Sequence, residues 1–362
     1  MSAPVAPARG VIETWHPGWL GVVLGTSGVA MASLMDPVGS TTADQVLGAL
    51  LAAAATLLLI ALAVPYVLRL RRHRHALLAD LSHPGLGAMF GTVPAAMLIV
   101  GVTLAQLGVV GWLPADVAWI SALLTILGVA GALVIGVEFF SRVVAAEQVP
   151  VGAMSGAWFI PLVVLVLVSS AVARILLLQP SWATSTAVAA SAASWGAGML
   201  LFLILAPVLA WRLLTGPPPV PAQAAGWWIW LAPAGAGGLG AIALSRMAGL
   251  VAPAGSAPAV ATTGLLSATV LWGFGAWWAL LAGRVLRRVS TTNGGLGFHP
   301  GSWGFVFPTA AMAALTVELG RSWSSSFLSV TGAVFWLVSL AIWARLAFQT
   351  VAAVRDRSLL QG

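Results

Sequence analysis

Long apolar runs separated by short polar breaks fill the chain, and two kinds of run alternate along it. One kind is almost uniform, as in Leu50-Leu51-Ala52-Ala53-Ala54-Ala55-Thr56-Leu57-Leu58-Leu59-Ile60. The other mixes apolar residues with Pro, Gly, Ser and Thr. Runs of about 20 apolar residues have the length that crosses a bilayer as a helix. An open strand would leave backbone groups unpaired in lipid, and the alternation of a membrane barrel is missing. The pattern predicts an all-α membrane protein of ten transmembrane helices, at 16–35, 46–70, 84–108, 115–141, 155–177, 184–213, 226–249, 258–287, 301–321 and 325–348. One transmembrane domain, 16–350, takes nearly the whole chain, with tails at 1–15 and 351–362.

The mixed runs are repeats of one unit. His16-Pro17-Gly18, His83-Pro84-Gly85 and His299-Pro300-Gly301 each open an apolar run; the runs opening near Trp158 and Trp227 lack the tripeptide. Four of the five mixed runs carry a proline near their start: Pro94, Pro161, Pro233 and Pro308. Proline removes a backbone donor and kinks a helix, which a membrane tolerates where protein or water satisfies the freed carbonyl. The odd-numbered helices are therefore expected inside and the uniform even-numbered ones against lipid. Five helical hairpins then give quasi-five-fold symmetry around a central pore, with the four prolines as kinks facing it. Pore-side candidates on the odd helices are Thr26, Ser27, Phe90, Thr92, Trp158, Trp230, Phe305 and Phe307.

Composition agrees with a membrane protein: 60% of the 362 residues are hydrophobic and 7% charged, against about 25% charged in soluble domains. The net charge of +7 comes from 16 arginines without lysine. In a soluble chain such a surplus suggests nucleic acid; here it sits between spans and reads as orientation. Arg9, Arg69, Arg71, Arg72, Arg74, Arg142, Arg212, Arg284, Arg287, Arg288, Arg345, Arg355 and Arg357 fall on one side. The positive-inside rule makes that side cytoplasmic, with both termini there and the protein in the cell's inner (plasma) membrane. Asp36, Asp44 and Asp116 lie in opposite loops. No cysteine is present, so no disulfide or thiolate chemistry is expected. The first ten residues hold no apolar signal-peptide core, so no cleavable leader is expected.

Candidate chemistry lies at the ends of the odd helices. The five histidines sit in the three tripeptides and one basic loop, without metal-ligand spacing, and no acid pair suits general acid–base work. No metal, cofactor or enzymatic activity is expected. Each tripeptide histidine reads as a cap, with proline in the first turn where its missing N–H costs nothing; the alternative is proton sensing or anion attraction at the cytoplasmic mouth. Arg174, Arg246 and Arg321 each lie thirteen residues past a proline, a rise of about 20 Å. Such a set would ring the outer mouth and attract anions. The alternative is snorkelling to lipid, or a salt bridge such as Arg321 with Glu318.

His16-Pro17-Gly18-Trp19 followed by Val23-Leu24-Gly25-Thr26-Ser27-Gly28 resembles the opening helix of the tellurite-resistance/dicarboxylate transporter family, which includes bacterial TehA and the plant guard-cell slow anion channels. Ser302-Trp303-Gly304-Phe305-Val306-Phe307-Pro308 resembles its ninth-helix motif, and Trp158-Phe159-Ile160-Pro161 its fifth. The resemblance implies ten helices around an axial pore, a homotrimer, and a ninth-helix phenylalanine that plugs the pore. That residue falls on Phe307, with Phe305 as the fallback. Helix 1 lacks the proline, and Ser302 stands where the family often has a second Trp. The resulting expectation is an anion channel or facilitator for a small inorganic or organic anion. The alternatives are a proton-coupled carrier of a four-carbon dicarboxylate such as malate, or a sulfite or tellurite exporter. A sensor or scaffold is disfavoured, because no long soluble loop is present.

Overall fold

Helices form every regular element of the computed structural model, which describes residues 10–216, 219–251, 253 and 255–356; no strand occurs among them. Arg9 and Arg357 of the arginine count, and the far ends of both expected tails, lie outside the described residues. The helices are α1 (Gly21–Ser33), α2 (Thr41–Arg72), α3 (Arg74–Ser82), α4 (Thr92–Val109), α5 (Val117–Ala145) and α6 (Ile160–Leu178). They continue with α7 (Ser185–Thr215), α8 (Ala224–Trp228), α9 (Leu231–Val251), α10 (Ala257–Thr292), α11 (Val306–Ser322) and α12 (Ser326–Arg355).

Nine helical segments among the described residues are long and apolar enough to cross a membrane. The segment expected at 16–35 falls short of that length: a 3-10 turn at Pro17–Leu20 leads into the 13-residue α1. Every residue of α1 is buried.

Burial separates two classes of helix. In the most apolar stretches containing α4, α6, α9 and α11, 61–83% of residues are buried; in those of α2, α5, α7, α10 and α12 the share is 17–28%. Each buried helix packs on its own hairpin partner, in the pairs α1–α2, α4–α5, α6–α7, α9–α10 and α11–α12. The buried helices also pack on one another in the cyclic order α1, α4, α6, α9, α11 and back to α1. Lengths differ as burial does: α10 has 36 residues, about 54 Å, well beyond a hydrocarbon core of about 30 Å.

The prolines of the buried helices do not interrupt them. Pro94, Pro161, Pro233 and Pro308 stand at the second or third residue of α4, α6, α9 and α11. The first four N–H groups of an α-helix have no partner within it, so proline there costs no hydrogen bond. 3-10 turns precede three of these helices, at Gly87–Gly91, Gly156–Phe159 and Pro300–Phe305. Prolines inside a helix occur instead in two lipid-facing helices, Pro65 in α2 and Pro207 in α7.

Two devices join the layers. One glycine on each outer helix (Gly48, Gly128, Gly198, Gly264 and Gly332) meets its inner partner's backbone. A Cβ at Gly198 would stand 2.8 Å from the Leu162 carbonyl oxygen, and one at Gly264 2.8 Å from that of Ala241. Tryptophan indoles bind across hairpins: Trp343 and Trp336 of α12 donate to Thr26 Oγ1 and Ser33 Oγ of α1 at 3.0 and 2.9 Å. Trp272 of α10 donates to Thr316 of α11 at 2.9 Å, and Trp195 of α7 to the Gly237 carbonyl of α9 at 3.0 Å.

Candidate functional site

Phe307, the second residue of α11, follows the 3-10 turn that carries the Ser302–Phe305 motif. Its ring is 4% exposed and lies against Gly28 of α1, where a Cβ would approach Phe307 Cδ2 to 3.1 Å. Gly28 thus leaves room for the ring beside the neighbouring helix α1.

Two narrow cavities meet at this phenylalanine. One, of about 40 Å³, lies toward the N-terminal ends of the buried helices and is lined by Leu24, Ala95, Val163, Ala232 and Phe307, one from each helix. The other, of about 30 Å³, lies toward their C-terminal ends, with Gly28, Ile99, Leu167, Ala236 and Phe307 contributing in the same way. Met89, Ile229 and Gly301 are shared between the first cavity and a wide vestibule of about 410 Å³. Arg174 and Leu239 are shared between the second and a vestibule of about 490 Å³. Phe307 is the lining residue that the two narrow cavities share.

The vestibules differ in chemistry. The one at the N-terminal ends collects His16, His83 and His299 with Ser155 and Gln223, and no residue in its lining is Arg, Asp or Glu. The three histidines cap turns through Nδ1, which accepts from the N–H of Gly18, Gly85 and Gly301 at 3.0, 3.1 and 3.0 Å. Ser155 caps the same way, accepting from Ala157 N–H at 3.3 Å. His16 and His299 meet edge to face with ring centroids 5.2 Å apart. Burial pushes the His299 imidazole below its ordinary value.

The other vestibule holds Arg174, Arg246 and Arg321 together with Glu318, Gln106 and Asp36. Arg174 forms its floor; its Nε donates to Gln106 Oε1 at 2.8 Å and its Nη1 to the Ser170 carbonyl at 2.9 Å. Arg246 is ion-paired with Glu318. Glu318 is thus bound across helices, from α11 to α9, and Arg321 points instead to the carbonyls of Met35 and Asp36.

The remaining sequence candidates take several positions. Pro308 and Thr92 line the narrow cavity beside Phe307, and Thr92 Oγ1 lies 2.9 Å from the Pro17 carbonyl and 2.8 Å from that of Met89. Thr26 Oγ1 donates to the Val22 carbonyl and accepts from Trp343. Ser27 is fully buried and its hydroxyl has no protein partner. Trp158 stacks edge-on against Phe139 of α5 and donates to the Pro84 carbonyl. Trp230 stacks on Trp278 of α10 at 4.1 Å. Phe305 leans on Trp228 at 6.4 Å. Pro94 meets Gly131 of α5, and Pro161 meets Gly91. Phe90, Trp158, Trp230, Phe305, Pro94, Pro161 and Pro233 line none of the four spaces. Sequence reasoning did not place Ser155, Gln223 or Gln106 at the mouths, and it offered Glu318 as a partner of Arg321 rather than of Arg246. A polar residue just before an apolar run is a usable cap signal for Ser155; the others stand out only once the helices are assembled.

An uncharacterized transporter of Methanocaldococcus jannaschii is 26% identical over 359 residues, 97% of this chain and 97% of that protein. A sulfite efflux pump of Trichophyton rubrum is 24% identical over 92% of this chain and 88% of its own length. One of Arthroderma otae is 26% identical over 94% and 91%. Residues 14–351, all twelve helices but the last turn of α12, match the family model described as voltage-dependent anion channel. The motif resemblance and this match agree: the chain is a membrane protein of the voltage-dependent anion channel family, in which the tellurite-resistance/dicarboxylate transporters and slow anion channels are grouped.

Proposed function

We propose that the protein conducts small anions passively along the axis of its buried helices, and that the Phe307 ring closes the path. The supporting observation is the pair of narrow cavities that share Phe307 and open into a vestibule at each end. Between the vestibules the lining is uncharged down to Arg174, mostly apolar with Thr92 and Ser170 as its hydroxyl-bearing members. Such a stretch holds no ion tightly and closes by dewetting around one large ring.

The ten-span reading rests on α1. Thirteen α residues and a four-residue 3-10 turn rise about 28 Å, close to the hydrocarbon thickness of about 30 Å. The cyclic packing of five buried helices, each with an outer partner, supports five hairpins in quasi-five-fold array over 16–350. The arginine count supports an orientation with the histidine-lined vestibule and both tails on the cytoplasmic side of the inner membrane, and Arg174, Arg246 and Arg321 at the outer mouth. A homotrimer is the assembly the resemblance implies.

Phe307→Ala tests the gate. Purified protein in planar bilayers, with chloride, nitrate, sulfite and malate in turn, should pass anion current at least about tenfold above wild type, the scale expected of removing a dewetted barrier of about 1.4 kcal/mol or more. Unchanged current with correctly inserted protein removes Phe307 as the gate; Phe305→Ala is then the comparison. A second reading, sulfite export, is favoured by the sulfite efflux pumps that match along nearly the whole chain. It predicts that sulfite gives the largest flux of the four.

A further inference from the structure

Five positions at the N-terminal ends of the buried helices converge on one vestibule: His16, His83, Ser155, Gln223 and His299. One precedes each of the five helical units, and they are the residues just before the turns that start at Pro17, Pro84, Gly156, Ala224 and Pro300. The sequence repeat is visible only in the three histidines; the assembled ring has five members.

The caps settle the protonation of the imidazoles. A ring nitrogen that accepts from a backbone N–H must present its lone pair, so the neutral ring carries its proton on Nε2. In all three histidines Nδ1 is the acceptor. Among the described residues, Nε2 of each takes no protein partner, and none is sealed off as an unpaired buried nitrogen. The vestibule thus receives three N–H donors fixed by backbone caps, with the Ser155 hydroxyl and the Gln223 amide beside them. Gln223 spends one amide hydrogen on the Gly152 carbonyl at 3.1 Å and keeps the other. No three of the described His, Asp and Glu residues are placed to hold a metal ion.

We infer that this ring is an anion-docking site at the inner mouth, which takes a monovalent oxyanion by neutral hydrogen-bond donation. The charged groups beside His16, Arg69 and Asp80, are paired with each other at 2.6 Å, and Arg69 also donates to the Trp15 carbonyl. An oxyanion offers several acceptors to donors spread around a ring, whereas a halide offers one centre. Weak, multiple, uncharged contacts suit a site that must release its ion into the narrow path. The inference rests on the axial path proposed above for its place in transport, though the binding stands by itself.

The test uses full-length protein labelled with 15N-histidine in nanodiscs, titrated with sodium nitrate and with sodium hydrogensulfite at constant ionic strength. Saturable shifts of the Nε2–H signals of His16, His83 and His299 are expected, with His73 and His75 as internal controls that stay still. Shifts of equal size on His73 and His75, no saturable shift, or a wild-type Nδ1–H tautomer would each overturn the site. Asparagine places its amide oxygen near the Nδ1 position and caps well, but ends short of Nε2. His16→Asn, His83→Asn and His299→Asn together should keep the fold and weaken anion uptake from this side about tenfold or more, from about threefold per neutral hydrogen bond. His299→Ser, which copies Ser155, should give the single-site loss and guards against misfolding of the triple variant. Flux in the Phe307→Ala background that is unchanged by the triple variant would overturn the ring as a docking site on the route. Saturable shifts in a protein whose Phe307→Ala form carries no current would keep the site and sink the axial path.

Discussion

The two vestibules have similar volumes and opposite chemistry. At the C-terminal ends of the buried helices, three arginines face one paired glutamate and a nearby aspartate. At the N-terminal ends stand histidine, serine and glutamine, with no arginine or carboxylate in the lining. The arginine mouth acts through charge, whose reach is set by ionic strength. The histidine mouth acts through donors, whose reach is a bond length. On the proposed reading, a path built this way gathers anions from a distance at one end and sorts them by contact at the other. The wall between carries no charge short of Arg174, and on the proposed reading Phe307 decides whether the two mouths communicate.

The largest effect should come from removing the charge. Arg174→Gln, Arg246→Gln and Arg321→Gln together should lower anion flux admitted from that side about tenfold or more at low salt, within the range for electrostatic focusing. Raising the salt on that side should shrink the difference, while salt on the histidine side changes little. The measurement is current in the Phe307→Ala background with the two chambers varied separately. Equal salt dependence on the two sides would break the comparison at its centre.

A smaller effect sharpens it. Glu318 is the carboxylate that occupies Arg246, and its side chain is 13% exposed. Glu318→Gln keeps the shape and frees a guanidinium for the passing anion. At about 4 Å in a wet mouth one charge pair is worth about 1 kcal/mol, so flux from that side should rise about fivefold at low salt. A fall instead would mean that the ion pair serves to hold α9 against α11 and that the mouth collapses without it.

The division into mouths and wall was partly legible in the sequence. Alternating uniform and mixed runs gave the inner and outer layers, because a helix that touches lipid all round needs nothing but apolar residues. The arginine spacing gave three residues that do meet in one vestibule. The prolines were read as kinks facing the pore, yet they stand in first turns, since residue type alone does not tell a helix interior from a helix start. The hydroxyls were harder still. A Thr or Ser in an apolar helix can be satisfied by water in a lumen or by a donor on a neighbouring helix, and period alone does not distinguish them. The missing information was the partner: Trp336 and Trp343 lie more than three hundred residues from Ser33 and Thr26. The five glycines of the outer helices were a repeat in plain view, but their meaning depends on which backbone they touch.

Thr26 is a polar residue on a buried helix between the mouths, yet it lines none of the four spaces. Its hydroxyl proton goes to the Val22 carbonyl at 2.7 Å and its lone pair to Trp343 at 3.0 Å. With its one proton given to Val22, the hydroxyl has no donor left for an anion. Trp343→Phe keeps a ring in the same place and removes the N–H; Thr26→Val removes both partners of the hydroxyl and keeps the branch. Hydrogen bonds between membrane helices average about 0.6 kcal/mol, so each variant should lower stability by about 1 kcal/mol or less. The two changes should be non-additive by a few tenths of a kcal/mol in a double-mutant cycle. Neither should alter current in the Phe307→Ala background. A change in ion preference with Thr26→Val, unmatched by Trp343→Phe, would place that hydroxyl in the path and give the wall a polar role of its own.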